Sequence, residues 1–328
     1  TIGREEHTIH PSGCVARRLL IFPGYGEYGG PAKVWENFET IFLNPPGVSP
    51  VDYLEERVAT FMNLNGDSWD FIWEREKFCA KDPSPWRYLC TETKTSSGWD
   101  EIIVRIHLKG YPDVFAAFPQ DQERFPHHEV CPECGGDHPL VFLWHDYALW
   151  LHWPCYSSTD FIVARDAKPE DIQAGWTHSS VTSGGPFYDF GRDIVWNPRE
   201  EAAWYFLYGL APETDEELRN LVRSWLYPAL VEDPSNGLSV SYDLGRMVYV
   251  LDNTGPACTV NVQPSPVVVS PLFECRNWAG GIPEVLVVTE GNEPEVVPQV
   301  DLAGDRLFIY IPGTFTNRWQ LKIEGSRP

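Results

Sequence analysis

From residue 238 to the C-terminus the chain is a succession of short strand-like runs cut by turn residues, and no other stretch narrows the fold so far. LSVSYDL, RMVYVL, CTVNVQ, PVVVSPLF, EVLVVTE, RLFIYIP and RWQLKI are rich in branched and aromatic side chains, with Gly, Pro, Asn or Asp between many of them. Strands at such short intervals imply an antiparallel sandwich, because each sheet must bury one face against another. CVARRLLIF and EIIVRIHL, nearer the N-terminus, read as strands as well. The fold expected is mainly β, an antiparallel β-sandwich or supersandwich with a short helical insert.

That insert lies in residues 196–232. In TDEELRNLVRSWLYP, Thr214 and Glu217 have capping-box spacing, and Pro228 stops the helix. Leu218, Leu221, Val222 and Trp225 fall on one helical face. PREEAAWYFLYGL, just before it, opens with Pro and acids and closes near Gly209, so it too reads as helix. SPVDYLEERVATFMN reads as a third, with Ser49 as cap and Pro50 in the first turn. The organisation expected is a β-rich domain over 1–195 with a Cys/His/Trp-rich loop region, the helical segment over 196–232, and the antiparallel sandwich over 233–328.

The formal net charge of −22 repels phosphate backbones and anionic lipid, so nucleic acid is a poor partner. A polyanionic sugar would need a local cluster of Arg, Lys or His, and bound calcium could offset the charge. No run approaches the roughly 18 apolar residues of a membrane span, so no membrane insertion is expected. The N-terminus TIGREEHTIH has no apolar leader region and reads as that of a processed chain. The 14 Trp, 14 Tyr and 17 Phe suit a β core, and such rings also stack on sugars.

Eight cysteines, Cys14, Cys79, Cys90, Cys131, Cys134, Cys155, Cys258 and Cys275, are an even number spread along the chain. They read as disulfide candidates in an oxidising, extracellular setting, with Cys79/Cys90 and Cys258/Cys275 resembling local staples. Spacing leaves the connectivity open. Cys131, Cys134 and His138 in HHEVCPECGGDH offer instead half of a zinc site. Gly24, Gly26 and Gly29 match GxGxxG after a strand-like run, with PAKVWENFETIF as a helix start and Asp52 downstream. Without βαβ alternation elsewhere, that match reads as a Gly-rich turn.

Chemistry is concentrated in HDYALWLHWPCYSS and the two phrases after it. His145, Tyr147, His152, Tyr156, Arg165 and His178 are the side-chain types a polysaccharide lyase uses as base, acid and carboxylate neutraliser. Trp150, Trp153 and Trp176 could form sugar platforms. His7 and His10 are expected to be exposed.

Several phrases resemble a group of large secreted bacterial proteins that accompany polysaccharide breakdown. They are ENFETIFLNPPGVSPVDYLEERVATFMNLNG, LHWPCYSSTD with GWTHSS, LRNLVRSWLYPAL, SPLFECRNWAGGIPEVLVV and DRLFIYIP. The resemblance implies an extracellular, carbohydrate-linked role and a sandwich-like architecture, and by position it singles out His152 and His178. Two functions follow as expectations: a lyase-like enzyme on an acidic polysaccharide, or a non-catalytic extracellular protein that is structural, self-assembling or carbohydrate-binding. A zinc-stabilised intracellular protein is a third.

Overall fold

The computed structural model describes residues 2–22, 33–43, 54–72, 101–119, 178–189, 202–232, 237–252, 255–289 and 296–325. The fold is mainly β, built from antiparallel sheets with one short α-helix among the described residues. The chain divides into two compact units. One comprises Thr1–Gly3 and Ile21–Ala202, the other Arg4–Leu20 and Ala203–Pro328. The N-terminal strands β1 (Ile2–Ile9) and β2 (Cys14–Phe22) thus fall largely in the unit that contains the C-terminal sheets.

In the first unit β3 (Lys33–Leu43) runs antiparallel to a strand far along the chain, His178–Asp189. β4 (Leu54–Met62) lies between β5 (Ser68–Ile72) and β6 (Glu101–Leu108), and β7 (Val114–Pro119) pairs with the far side of β6. The His178–Asp189 strand is β8. Two expected helices are strands here. PAKVWENFETIF gives β3 from Lys33, while Gly24, Gly26, Gly29 and Asp52 lie outside the described residues. SPVDYLEERVATFMN gives β4, in which Ala59, Thr60, Phe61 and Met62 are buried in succession. A central strand covered on both faces shows a continuous apolar run, which periodicity does not separate from a helix.

The second unit continues with β9 (Ala202–Leu210), α1 (Asp215–Leu226) and β10 (Leu230–Glu232). β9 is the third helix expectation overturned. Its aromatic run suits a pleated surface. Gly209 is needed for contact: a Cβ there would lie 2.6 Å from the Gly13 carbonyl oxygen. α1 forms as its sequence implies. Glu217 N donates to Thr214 Oγ1 at 3.2 Å, Thr214 N donates to the Glu217 carboxylate at 2.9 Å, and Leu218, Leu221, Val222 and Trp225 are buried.

The remaining strands are β11 (Ser239–Asp243), β12 (Val248–Asp252), β13 (Ala257–Gln263), β14 (Val268–Val269), β15 (Leu272–Arg276), β16 (Pro283–Thr289), β17 (Gln299–Ala303), β18 (Arg306–Tyr310), β19 (Thr314–Phe315) and β20 (Trp319–Gly325). They form a four-stranded sheet, β10-β13-β20-β16, and a five-stranded sheet, β11-β12-β15-β18-β17. β14 and β19 make a small ladder apart. Pairing is antiparallel except between β12 and β15. The two larger sheets share one core: Val260, Val262, Trp319, Leu321 and Ile323 from the first meet Tyr249, Leu251, Phe273, Cys275, Leu307 and Ile309 from the second. Apolar residues stay exposed on edge strands β16 and β17 and beside them, including Ile282, Leu286 and Leu302. Among the described residues no helix is long and apolar enough to cross a membrane.

Candidate functional site

On the outer face of the five-stranded sheet, Asp252 of β12, Arg276 of β15 and Arg306 of β18 form one cross-strand row. Leu251 pairs with Cys275 and both face the core, so the residues that follow them point outward. Beside this row Glu274 is completely buried, at 0% exposure. Three guanidinium groups close on its carboxylate: Arg246 at 2.6 Å, and Arg276 and Arg306 at 3.3 Å each. Burial is the largest influence on Glu274 and would raise its pKa. The hydrogen bonds and charges of Arg246 and Arg276 outweigh it and hold the pKa below the ordinary value.

One buried carboxylate is needed to neutralise one guanidinium, and here it gathers three. Asp243 and Asp252 approach Arg246 and Arg276 only at 4.0 and 3.8 Å, whereas the described ion pairing of Arg306 is with Glu274 alone. Arg276 and Arg306 are partly exposed, with Arg306 side-chain exposure at 54%. A guanidinium carries its N–H donors in a planar fork whose geometry fits a carboxylate. The arrangement is an arginine clamp, three guanidinium groups closed on a carboxylate the solvent does not reach.

The clamp is buttressed by the β1–β2 turn. His10 Nε2 bonds the Arg246 carbonyl at 2.9 Å, and Arg18 of β2 lies 3.8 Å from Asp243. Contrary to expectation His10 is buried, at 3% exposure, while His7 is exposed. A turn beside a strand reads as solvent-facing until the chain that packs on it is known. Burial lowers the His10 pKa, the Arg246 charge adds to this, and the backbone bond opposes it. Protonation therefore favours the unfolded chain. Stability from this contact is complete above about pH 6.5 and falls as acid is added below it, by at most about 1.4 kcal/mol per pH unit. Urea unfolding at several pH values should show that slope in the native chain and a flatter one in His10→Gln.

A second polar cluster lies in the first unit. Asp113 Oδ2 accepts from His107 Nδ1 at 2.9 Å, and His107 Nε2 lies 2.9 Å from Thr60 Oγ1. Thr60 in turn donates to Asp70 Oδ1 at 2.6 Å, and Leu108 N donates to Asp113 Oδ1 at 3.3 Å. Carboxylate, imidazole and hydroxyl stand in the order of a nucleophile relay. The hydroxyl proton, however, is directed to Asp70, and both imidazole nitrogens are engaged inside the fold. Thr60 and His107 are buried. The chain of bonds ties β4, β5, β6 and the β6–β7 turn together.

Of the residues singled out in the sequence, His145, Tyr147, Trp150, His152, Trp153, Tyr156, Arg165 and Trp176 lie outside the described residues, as do Cys79, Cys90, Cys131, Cys134, Cys155 and His138. His178 opens β8 opposite Leu43. Against the disulfide expectation, Cys14, Cys258 and Cys275 are unlinked in the structure, and Cys14 Sγ bonds Ser12 Oγ at 3.1 Å. Among the described residues no group of three or more His, Cys, Asp or Glu could hold a metal ion. The clamp was missed in the sequence, although Glu274 and Arg276, two apart in an otherwise apolar strand, mark one polar face. No protein-family model matches this chain, and neither does any curated protein or solved structure.

Proposed function

We propose that this chain is an extracellular protein of polysaccharide-degrading systems that binds an acidic polysaccharide through Arg276 and Arg306. The observation that carries the reading is the convergence of three guanidinium groups on the single buried carboxylate of Glu274. It sets Arg276 and Arg306, two partly exposed cations, side by side across β15 and β18 on a chain of charge −22. At physiological ionic strength a Debye length of about 8 Å screens most of the remaining negative field from a ligand seated on the arginines. Uronate carboxylates are the ligand type that the guanidinium fork geometry suits. The acidic composition and the resemblance of several phrases to secreted polysaccharide-associated proteins support the setting. An elimination reaction on the bound uronate would draw on His145, His152, Tyr147 or Tyr156. Binding is the activity the described residues support.

Isothermal titration of the full chain with polygalacturonate oligomers, and with an uncharged glucan as control, tests this. Binding is expected for the uronate alone, weakened at least about tenfold in Arg276→Ala/Arg306→Ala, the effect of losing one charge-assisted hydrogen bond. Equal affinity in the variant, or none in the native chain, overturns the proposal.

A further inference from the structure

Cys258 and Cys275 belong to opposite sheets. Cys258 pairs in register with Ile323 of the four-stranded sheet, and Cys275 with Leu307 of the five-stranded sheet. Ile323 and Leu307 are core residues, so both thiols point into the space between the sheets. Cys275 is fully buried there, Cys258 packs against the same core at intermediate exposure, and the two thiols hydrogen-bond each other.

We infer that Cys258 and Cys275 are joined by a disulfide that fastens one layer of the C-terminal sandwich to the other. Both thiols face the same inter-sheet core, with Cys258 a hydrogen-bond partner of Cys275, which is the placement a disulfide of about 2.05 Å needs. Nothing in the described surroundings supplies the further ligands a metal would need. The position also differs from a local staple: the bond crosses the core and closes a loop on the order of 15 residues, long enough to constrain the unfolded chain substantially.

The oxidant is a small-molecule disulfide such as oxidised glutathione. The Cys258 thiolate attacks one of its sulfurs, forming a mixed disulfide and releasing one glutathione thiolate. The Cys275 sulfur then attacks Cys258 Sγ. The protein disulfide forms, the second glutathione leaves as thiolate, and the protons from both cysteines end on the two glutathiones. The hydrogen bond to Cys258, together with burial, raises the Cys275 thiol above its ordinary pKa. A buried thiol that resists ionisation is a poor nucleophile, so the bond closes during folding faster than in the folded dithiol.

Trypsin supplies a direct assay, because cleavage after Arg246 and Arg276 releases Met247–Arg276, which holds both cysteines and no other. The full chain is refolded with oxidised glutathione, alkylated under denaturing conditions and digested. The expected peptide is lighter than the dithiol by two hydrogen atoms and takes up alkylating reagent only after reduction. A doubly alkylated peptide, or one joined to a different cysteine peptide, overturns the inference. Cys258→Ser and Cys275→Ser should each lower the melting temperature by roughly 5–10 °C, and the mass assay on the native chain decides the matter even where a variant fails to fold. Because the assay supplies the oxidant and uses no saccharide, its outcome is separate from that of the binding proposal.

Discussion

Glu274→Ala is expected to lower the unfolding free energy of the C-terminal unit by about 3–5 kcal/mol in urea denaturation, the cost of removing one partner from a buried ion pair. Without the carboxylate, Arg276 and Arg306 face each other directly across β15 and β18 as like charges. Arg246 also loses its 2.6 Å contact. Glu274→Gln keeps the volume and a hydrogen-bond acceptor, and should fall between the native chain and Glu274→Ala. Acid reaches a similar state without mutation. Since the folded pKa is depressed, stability from this group is complete above the unfolded value near 4.5 and is lost as pH falls through the folded one. The substitution also separates two accounts of saccharide binding. If only net charge mattered, deleting an acid would strengthen binding to a polyuronate. If the converged geometry matters, Glu274→Ala weakens it, and that is the result expected.

The second large effect concerns two tryptophans. Trp225 and Trp319 are both fully buried, and replacing either with Ala should cost about 3–5 kcal/mol. Replacement with Phe should distinguish them. Trp225 Nε1 donates to the Leu244 carbonyl at 2.9 Å, which docks α1 on the β11–β12 turn, and Tyr242 Oη donates to the Trp225 carbonyl at 3.1 Å. Trp225→Phe removes the first bond while the Leu244 carbonyl keeps its bond from Met247 N at 3.3 Å, adding about 0.5–1.5 kcal/mol to the lost packing. Trp319 stacks obliquely on Phe315 and meets Phe273 edge-on, but its Nε1 has no hydrogen-bond partner among the described residues. Trp319→Phe sheds a desolvated donor along with some volume, and its cost should stay under about 1.5 kcal/mol. Urea denaturation of the two Phe variants gives the comparison. Equal costs would mean that the Trp319 indole finds a partner in solution.

The sequence was legible where one local signal decided the outcome. The seven C-terminal runs are strands, and α1 begins at the capping box of Thr214 and Glu217. It misled where burial on both sides hid the period, as in β4, and where acids and Pro before an aromatic run imitated a helix start, as at β9. The clamp was not legible, because Arg246, Glu274 and Arg306 meet only once β12 lies parallel to β15 with β18 on its far side. The hydrogen-bonded cluster around His107 left a fainter mark. Glu101, Arg105 and His107 alternate with Ile102, Val104 and Ile106 in a strand buried along its whole length. Polar residues at that period announce a buried hydrogen-bonded face without revealing its partners.

The route of the chain through the C-terminal sandwich sets how it must come apart. Apart from the β11–β12 and β17–β18 hairpins, the strands of the two layers alternate along the sequence, so each layer is assembled from segments that the other interrupts. No cut in the backbone leaves one layer whole. Neither layer can serve as a preformed platform for the other, and the pair should melt in a single cooperative step, with the arginine clamp vanishing together with the core that lies behind it.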